Sequence, residues 1–225
     1  MIIITEERAI ELLNLGLEKQ GTREFEKALE YYNEGLEKVN NLNNTGLICL
    51  YKYNISSIYL EKSEFDESLK YLNQALQLCE EVEGLSTTPY IYNNLGWICR
   101  IKGNYEGAIQ FYQKALQSSN ELGDLKNKRL TLTNIGVIYI DWGKFNKASE
   151  YFRQALEISI EEFDKGWVFA NMSNLEIEKA DYKKALQYCQ QASSLFDETN
   201  DKKGKIYIFT AFGRIYVEIG DMRKL

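Results

Sequence analysis

The chain has 225 residues, a formal net charge of −6, 27% charged and 44% apolar residues, one proline and no histidine. Few helix breakers and an ordinary apolar share favour a folded helical protein over a disordered one. The negative balance repels phosphate backbones and argues against nucleic acid as a partner; the densest basic cluster, Lys126, Lys128 and Arg129, falls in a segment predicted to be a solvated turn.

At the start of the chain only Ile2, Ile3 and Ile4 precede Thr5, Glu6, Glu7 and Arg8, too short an apolar core for a signal peptide. No stretch approaches the ~20 apolar residues of a membrane span. The expectation is a cytoplasmic protein without membrane insertion. Cys49, Cys79, Cys99 and Cys189 form no close pair in sequence. They read as reduced, buried small hydrophobes, and with no histidine present neither a metal nor a cofactor is expected.

The remaining pattern is a repeat. A small residue is followed nine positions later by an aromatic one at Gly16/Phe25, Ser56/Phe65, Gly96/Tyr105, Gly136/Phe145 and Ser173/Tyr182, and the sixth copy, Gly213/Met222, keeps the spacing. The small residues are 40 apart, except for a step of 37 between Gly136 and Ser173. Three residues beyond the aromatic come Ala28, Ser68, Ala108, Ala148 and Ala185, and six beyond it Tyr31, Tyr71, Phe111, Tyr151 and Tyr188. The spacing predicts first helices near 5–20, 47–62, 89–102, 128–142, 164–179 and 204–219. It predicts second helices near 24–40, 64–82, 105–121, 145–163 and 182–198. Small residues are expected where the helices of a pair approach closely, and aromatics where each pair stacks on its neighbour. The turns at Lys102-Gly103-Asn104 and Trp142-Gly143-Lys144 supply glycine for a left-handed helix end. One pair cannot cover its own apolar faces, so pairs must stack.

These marks resemble the tetratricopeptide repeat family, best in Asn94-Leu95-Gly96-Trp97 through Gly103-Asn104-Tyr105 to Ala108, Tyr112 and Ala115-Leu116. The repeat of 40 departs from the usual ~34, and the customary closing proline is missing. The longer form is similar to that of bacterial peptide-pheromone receptors, scaffolds of the LGN type and sensory repeat domains. The resemblance implies an all-α, right-handed α-solenoid of antiparallel helix pairs. It would be a single domain over 1–225, with repeats near 5–42, 45–84, 87–123, 126–163 and 164–200 and an incomplete one at 203–225.

In this family the first helices line the concave surface, so the resemblance points to a groove there. Asn14, Asn54, Asn94, Asn134 and Asn171 each stand two residues before the small mark, where the sixth copy has Ala211. Asparagine costs up to ~0.7 kcal/mol in a helix relative to alanine, so its recurrence asks for a reason. One reason is a ladder of amides that pairs with the backbone of an extended peptide; the other is duplication, with the amides bonding inside the solenoid. Helical spacing adds Tyr53, Tyr90, Asn93, Trp97, Arg100 and Trp167 to the candidate binding face, together with Asn174, Tyr207 and Arg214. The preferred cluster is Tyr90, Asn93, Asn94, Trp97 and Arg100, with Asn134 beside it.

The sixth first helix is apolar, with Phe209, Phe212, Ile215 and Tyr216 as candidates for self-association or for capping by a partner, and the chain reads as a piece of a longer protein. The expected function is a non-catalytic scaffold that holds a protein or an extended peptide. The alternative is a peptide-sensing regulatory module of a longer signalling protein with its effector domain elsewhere. Catalysis is a distant third: without histidine there is no imidazole base. Adjacent carboxylates such as Glu80/Glu81 point ~100° apart on a helix and do not face each other.

Overall fold

The structure, a computed structural model, describes residues 2–82 and 84–222, with side chains from 6 to 82 and from 84 to 220. The Met222 side chain, and so the sixth copy of the aromatic mark, lies outside the described residues. Among the described residues there are eleven α-helices: α1 (Ile2–Gly21), α2 (Phe25–Asn40), α3 (Thr45–Glu61), α4 (Phe65–Glu81), α5 (Thr88–Ile101), α6 (Tyr105–Leu122), α7 (Leu125–Asp141), α8 (Phe145–Glu157), α9 (Glu162–Glu178), α10 (Tyr182–Glu198) and α11 (Lys202–Met222). They gather into two compact units, Met1–Gly103 and Asn104–Leu225.

The turns inside the pairs share one construction. Each spans three residues, and its middle residue is left-handed: Arg23 (φ 62°), Ser63 (φ 62°), Gly103 (φ 75°), Gly143 (φ 69°) and Ala180 (φ 57°). At four of them the following N–H reaches back to the carbonyl five residues earlier, Glu24 to Lys19 at 2.9 Å, Glu64 to Tyr59 at 2.8 Å, Lys144 to Tyr139 at 2.7 Å and Asp181 to Glu176 at 2.9 Å. The bond closes α1, α3, α7 and α9 and satisfies one orphan carbonyl of each. Glycine adopts that backbone freely; Arg23, Ser63 and Ala180 adopt it at a cost of ~1–2 kcal/mol each.

In the first unit the small marks work as expected. A Cβ added at Gly16 would stand 2.2 Å from the Tyr32 ring, and one at Gly35 would stand 2.1 Å from the Tyr51 hydroxyl. Tyr32 and Tyr51 are fully buried, and their rings meet edge to face at 6.2 Å. The Tyr51 hydroxyl donates to the Ala9 carbonyl, so α3 is tied to α1 across α2. Around these rings lie Ala9, Leu13, Ala28, Val39, Ile55 and Ile58. Each large apolar side chain withdrawn this way contributes about 1.5–3 kcal/mol.

The role expected of the aromatics needs a correction. Those six residues past the mark stack within their own pair: Tyr71 on Tyr59 at 5.7 Å, Tyr151 on Tyr139 at 5.5 Å and Tyr188 on Phe169 at 6.0 Å. The residue one step further, Tyr32, Leu72, Tyr112, Phe152 or Cys189, is the fully buried one. The mark itself reaches the next pair, Phe65 against Trp97 at 5.9 Å and Tyr105 against Trp142 at 6.3 Å. Helical geometry explains the division, because neighbouring residues lie ~100° apart and only one can point into the seam.

Three other expectations change. Helix α8 ends at Glu157, six residues before the predicted end, and the Ile158-Ser159-Ile160 stretch leads to an extended Glu161 that precedes α9. The shortened repeat of 37 is absorbed there. Lys126, Lys128 and Arg129 are not in a turn but on α7, and Arg129 is 8% exposed. Its guanidinium meets the Asp164 carboxylate of α9 at 2.5 Å. Burial pulls the Arg129 pKa down and Asp164 opposes the shift; a guanidinium stays cationic throughout. Finally, Cys49 and Cys189 are buried as expected, whereas Cys79 and Cys99 are partly exposed.

Candidate functional site

The predicted ladder residues are not equivalent. Asn14 is exposed on α1. Asn54 is 6% exposed, and its Nδ2 donates to the Leu50 carbonyl of its own helix at 2.8 Å. Asn171 does the same to Trp167 at 2.8 Å, and Asn93, 4% exposed, to Pro89 at 3.2 Å. Three amides therefore each spend a donor on the carbonyl one turn back, a competition with the helix ladder that asparagine is prone to. Asn94 and Asn134 are half-buried on α5 and α7.

The α3–α5 junction brings together Tyr53, Tyr90 and Asn94. The two rings meet at 6.0 Å, close to edge to face. Burial pushes the Tyr53 phenol up, while hydrogen bonds with Ser57 and Asn94 act against that shift. Trp97 leans on Phe65 of α4. Arg100 is half-buried near the end of α5. The rings and amides of the preferred cluster on α5 are thus largely engaged within the fold, Tyr90 and Asn94 with Tyr53, Asn93 with the Pro89 carbonyl and Trp97 with Phe65.

The second unit offers a different arrangement between α9 and α11. Phe196 of α10 is fully buried, and a Cβ at either Gly166 or Gly204 would lie within 2.8 Å of its ring. Two glycines thus let α9 and α11 close around one phenylalanine. Trp167 packs on that ring at 5.2 Å and on Tyr207 at 5.7 Å. The Trp167 Nε1 donates to Asp201 at 3.0 Å, which fixes the indole. One turn and more along, the Arg214 guanidinium donates to Asn174 Oδ1 at 2.8 Å and meets Glu178 at 2.8 Å. Trp167, Tyr207, Asn174 and Arg214 wall a concavity of about 340 Å³ that also includes Lys203, Ile206, Thr210 and Ala211.

The floor of this groove is Ala211, 6% exposed. It occupies the register in which the other copies carry the amide. Trp167 and Tyr207 share the register of Tyr90, and Asn174 and Arg214 that of Trp97. A methyl where the pattern calls for an amide leaves room between the walls. Ile206, Thr210 and Ala211 were missed as lining residues by the sequence reading; the signal was the break in the ladder at Ala211.

On the far side of α11 the apolar residues divide. Ile215 is fully buried in the core with Ala170, Ile177, Cys189 and Ile208, and Phe212 packs partly against it. Phe209 is 70% and Tyr216 62% exposed. Among the described residues, no group of three or more acidic, cysteine or histidine side chains could hold a metal ion. Among them, too, no helix is long and apolar enough to cross a membrane.

Stacked helix pairs joined by three-residue turns, with small residues set against buried rings, define an α-solenoid of antiparallel helix pairs. The tetratricopeptide repeat model matches residues 47–121 and 87–161, more than half of the chain, and the chain belongs to that family. No protein of curated function matches it by sequence. Among solved structures it is similar to BtubC from P. vanneervenii, at 19% identity and TM-score 0.69, over 89% of this chain and 91% of that one. It is also similar to the Rap conjugation gene regulator of plasmid pLS20, solved in complex with the Phr* peptide, at 16% identity and TM-score 0.75, over 88% and 55%. A third is aspartyl phosphate phosphatase F from Bacillus subtilis, at 16% identity and TM-score 0.76, over 96% and 56%. The chain therefore spans just over half the length of the latter two.

Proposed function

We propose that the chain is a non-catalytic module that binds an extended peptide, or a peptide-like segment of a protein, on the face of its first helices, and that the α9–α11 groove is the principal site. The observation that carries this reading is the groove: two fixed aromatic rings, an amide and a guanidinium around a small floor, in about 340 Å³. Aromatic walls bury an apolar side chain of the ligand, while Arg214 and Asn174 offer directional contacts to its backbone or to a carboxylate. The ladder residues Asn14, Asn54, Asn94, Asn134 and Asn171, with Tyr53, Tyr90, Asn93, Trp97 and Arg100, form the alternative site that this proposal ranks below the groove. The absence of histidine favours binding over catalysis. Self-association or capping through α11 would fall to Phe209 and Tyr216, whose rings are exposed, rather than to Ile215 in the core.

A second reading is a peptide-sensing part of a longer signalling protein. It is favoured by the solved structure of similar fold that holds a peptide and is nearly twice as long as the region matched.

Selection of a random peptide library on the intact chain tests the proposal. Selected peptides should bind the Arg214→Ala and Tyr207→Ala variants about tenfold or more weaker, as hot-spot truncations do. Peptides that bind both variants as tightly as the parent would place the function on another face.

A further inference from the structure

Cys49 and Cys79 are 30 residues apart in sequence, yet their sulfurs are 3.4 Å apart. The turn at 62–64 folds α4 back along α3, so the second turn of α3 meets the last turn of α4. The two thiols share a hydrogen bond, and Cys49 Sγ also points at the Ala75 carbonyl at 3.7 Å. A disulfide needs ~2.05 Å, so only a small approach separates contact from a bond. Access is asymmetric, because Cys49 is fully buried and Cys79 partly exposed.

We propose that Cys49 and Cys79 are a site of reversible oxidation, at which a hydroperoxide converts the two facing thiols into a disulfide that staples α3 to α4. The exposed member reacts first. The hydrogen bond from Cys49, aided by Thr88, holds the Cys79 thiol below its ordinary value, against the opposing effect of burial. The Cys49 proton is held more tightly, by its bond to Cys79 and by burial. Thiolate is the form that attacks peroxide. The Cys79 sulfur displaces water from hydrogen peroxide, with one proton taken up, and becomes a sulfenic acid. The Cys49 sulfur then attacks that sulfur, the S–O bond breaks, and a second water leaves with the Cys49 proton and the proton of the sulfenic acid hydroxyl. The two thiols lose two electrons and two protons in all, and one peroxide becomes two waters. For the other two cysteines, Cys99 and Cys189, burial pushes the thiol up, which leaves them slower to react.

The test uses the full chain carrying Cys99→Ser, because trypsin leaves Cys79 and Cys99 on one peptide, 71–100, apart from Cys49 on 39–52. The protein is treated with equimolar hydrogen peroxide, alkylated and digested. The expected product is peptide 39–52 joined to 71–100 with the loss of two hydrogens, and its disappearance on treatment with dithiothreitol. In a Cys49→Ser variant of the same background, Cys79 should instead stop at the sulfenic acid, trapped as its dimedone adduct. Three results would overturn the proposal: both thiols still alkylatable, Cys79 oxidised to sulfenic or sulfinic acid with Cys49 intact, or Cys79 joined to a second chain.

Discussion

Two junctions between consecutive first helices, α3 with α5 and α9 with α11, share registers on the later helix, Tyr90 with Tyr207 and Asn94 with Ala211, and reach opposite results. At α3–α5 the Tyr53 and Tyr90 rings meet at 6.0 Å and Asn94 bonds with Tyr53, so these groups of the candidate face hold the unit together. At α9–α11 the rings and the charged edge line a cavity whose floor is Ala211. A repeat register fixes where a side chain points, but the neighbouring helix decides whether it is available. The lesson is that a recurring polar residue in a solenoid can be structural in one copy and functional in another.

The largest effect separating the two junctions should come from Tyr53→Ala. It removes a mostly packed ring and leaves Asn94 without its phenol, and large-to-small changes of this kind cost about 3 kcal/mol. Denaturant unfolding followed by circular dichroism should show that loss, while selected peptides bind the folded variant unchanged. A loss below about 1 kcal/mol, or a matching loss of peptide affinity, would mean that α3–α5 is a binding surface after all.

A smaller effect is expected from Ala211→Asn, which restores the ladder residue of the other copies. The amide would occupy the groove floor beside Trp167 and Tyr207, as Asn94 does beside Tyr53. Affinity for groove-selected peptides should fall tenfold or more, equivalent to about 1.4 kcal/mol, measured by titration of tryptophan fluorescence. Undiminished affinity would show that the floor does not set the cavity, and would move attention to Lys203 and Ile206 at its rim.

The sequence carried the helix pairs because their marks are physical necessities. Gly16 must be small against Tyr32, and Gly103 and Gly143 sit where the backbone is left-handed. The candidate face was legible as a register, and Trp167, Asn174, Tyr207 and Arg214 were all placed on it. Which part of that face is open was not legible. It depends on Phe196 held between Gly166 and Gly204, on Asp201 fixing the indole, and on an absent amide. Arg129 shows the same limit: three basic residues in four positions read as solvent-facing, and only the partner helix brings Asp164 to bury one of them. The Cys49–Cys79 contact spans 30 residues and follows no local spacing rule, so a search for nearby cysteines could not reveal it.

The smallest expected effect compares two turns of the groove-bearing unit. Gly143 and Ala180 occupy the same left-handed position, at φ 69° and 57°. The alanine Cβ crowds the following carbonyl there, at ~1–2 kcal/mol, whereas glycine is free of that strain but gives up more chain entropy on folding, ~0.5–1 kcal/mol. Ala180→Gly should therefore stabilise the protein by about 0.5–1 kcal/mol, and the exposed position leaves no packing to lose. The reverse exchange, Gly143→Ala, should destabilise by a similar amount. Equilibrium unfolding of both variants decides the matter. If both shift in the same direction, the two turns are not held alike, and the shared backbone geometry is imposed by the helices they join rather than stabilised at the turn itself.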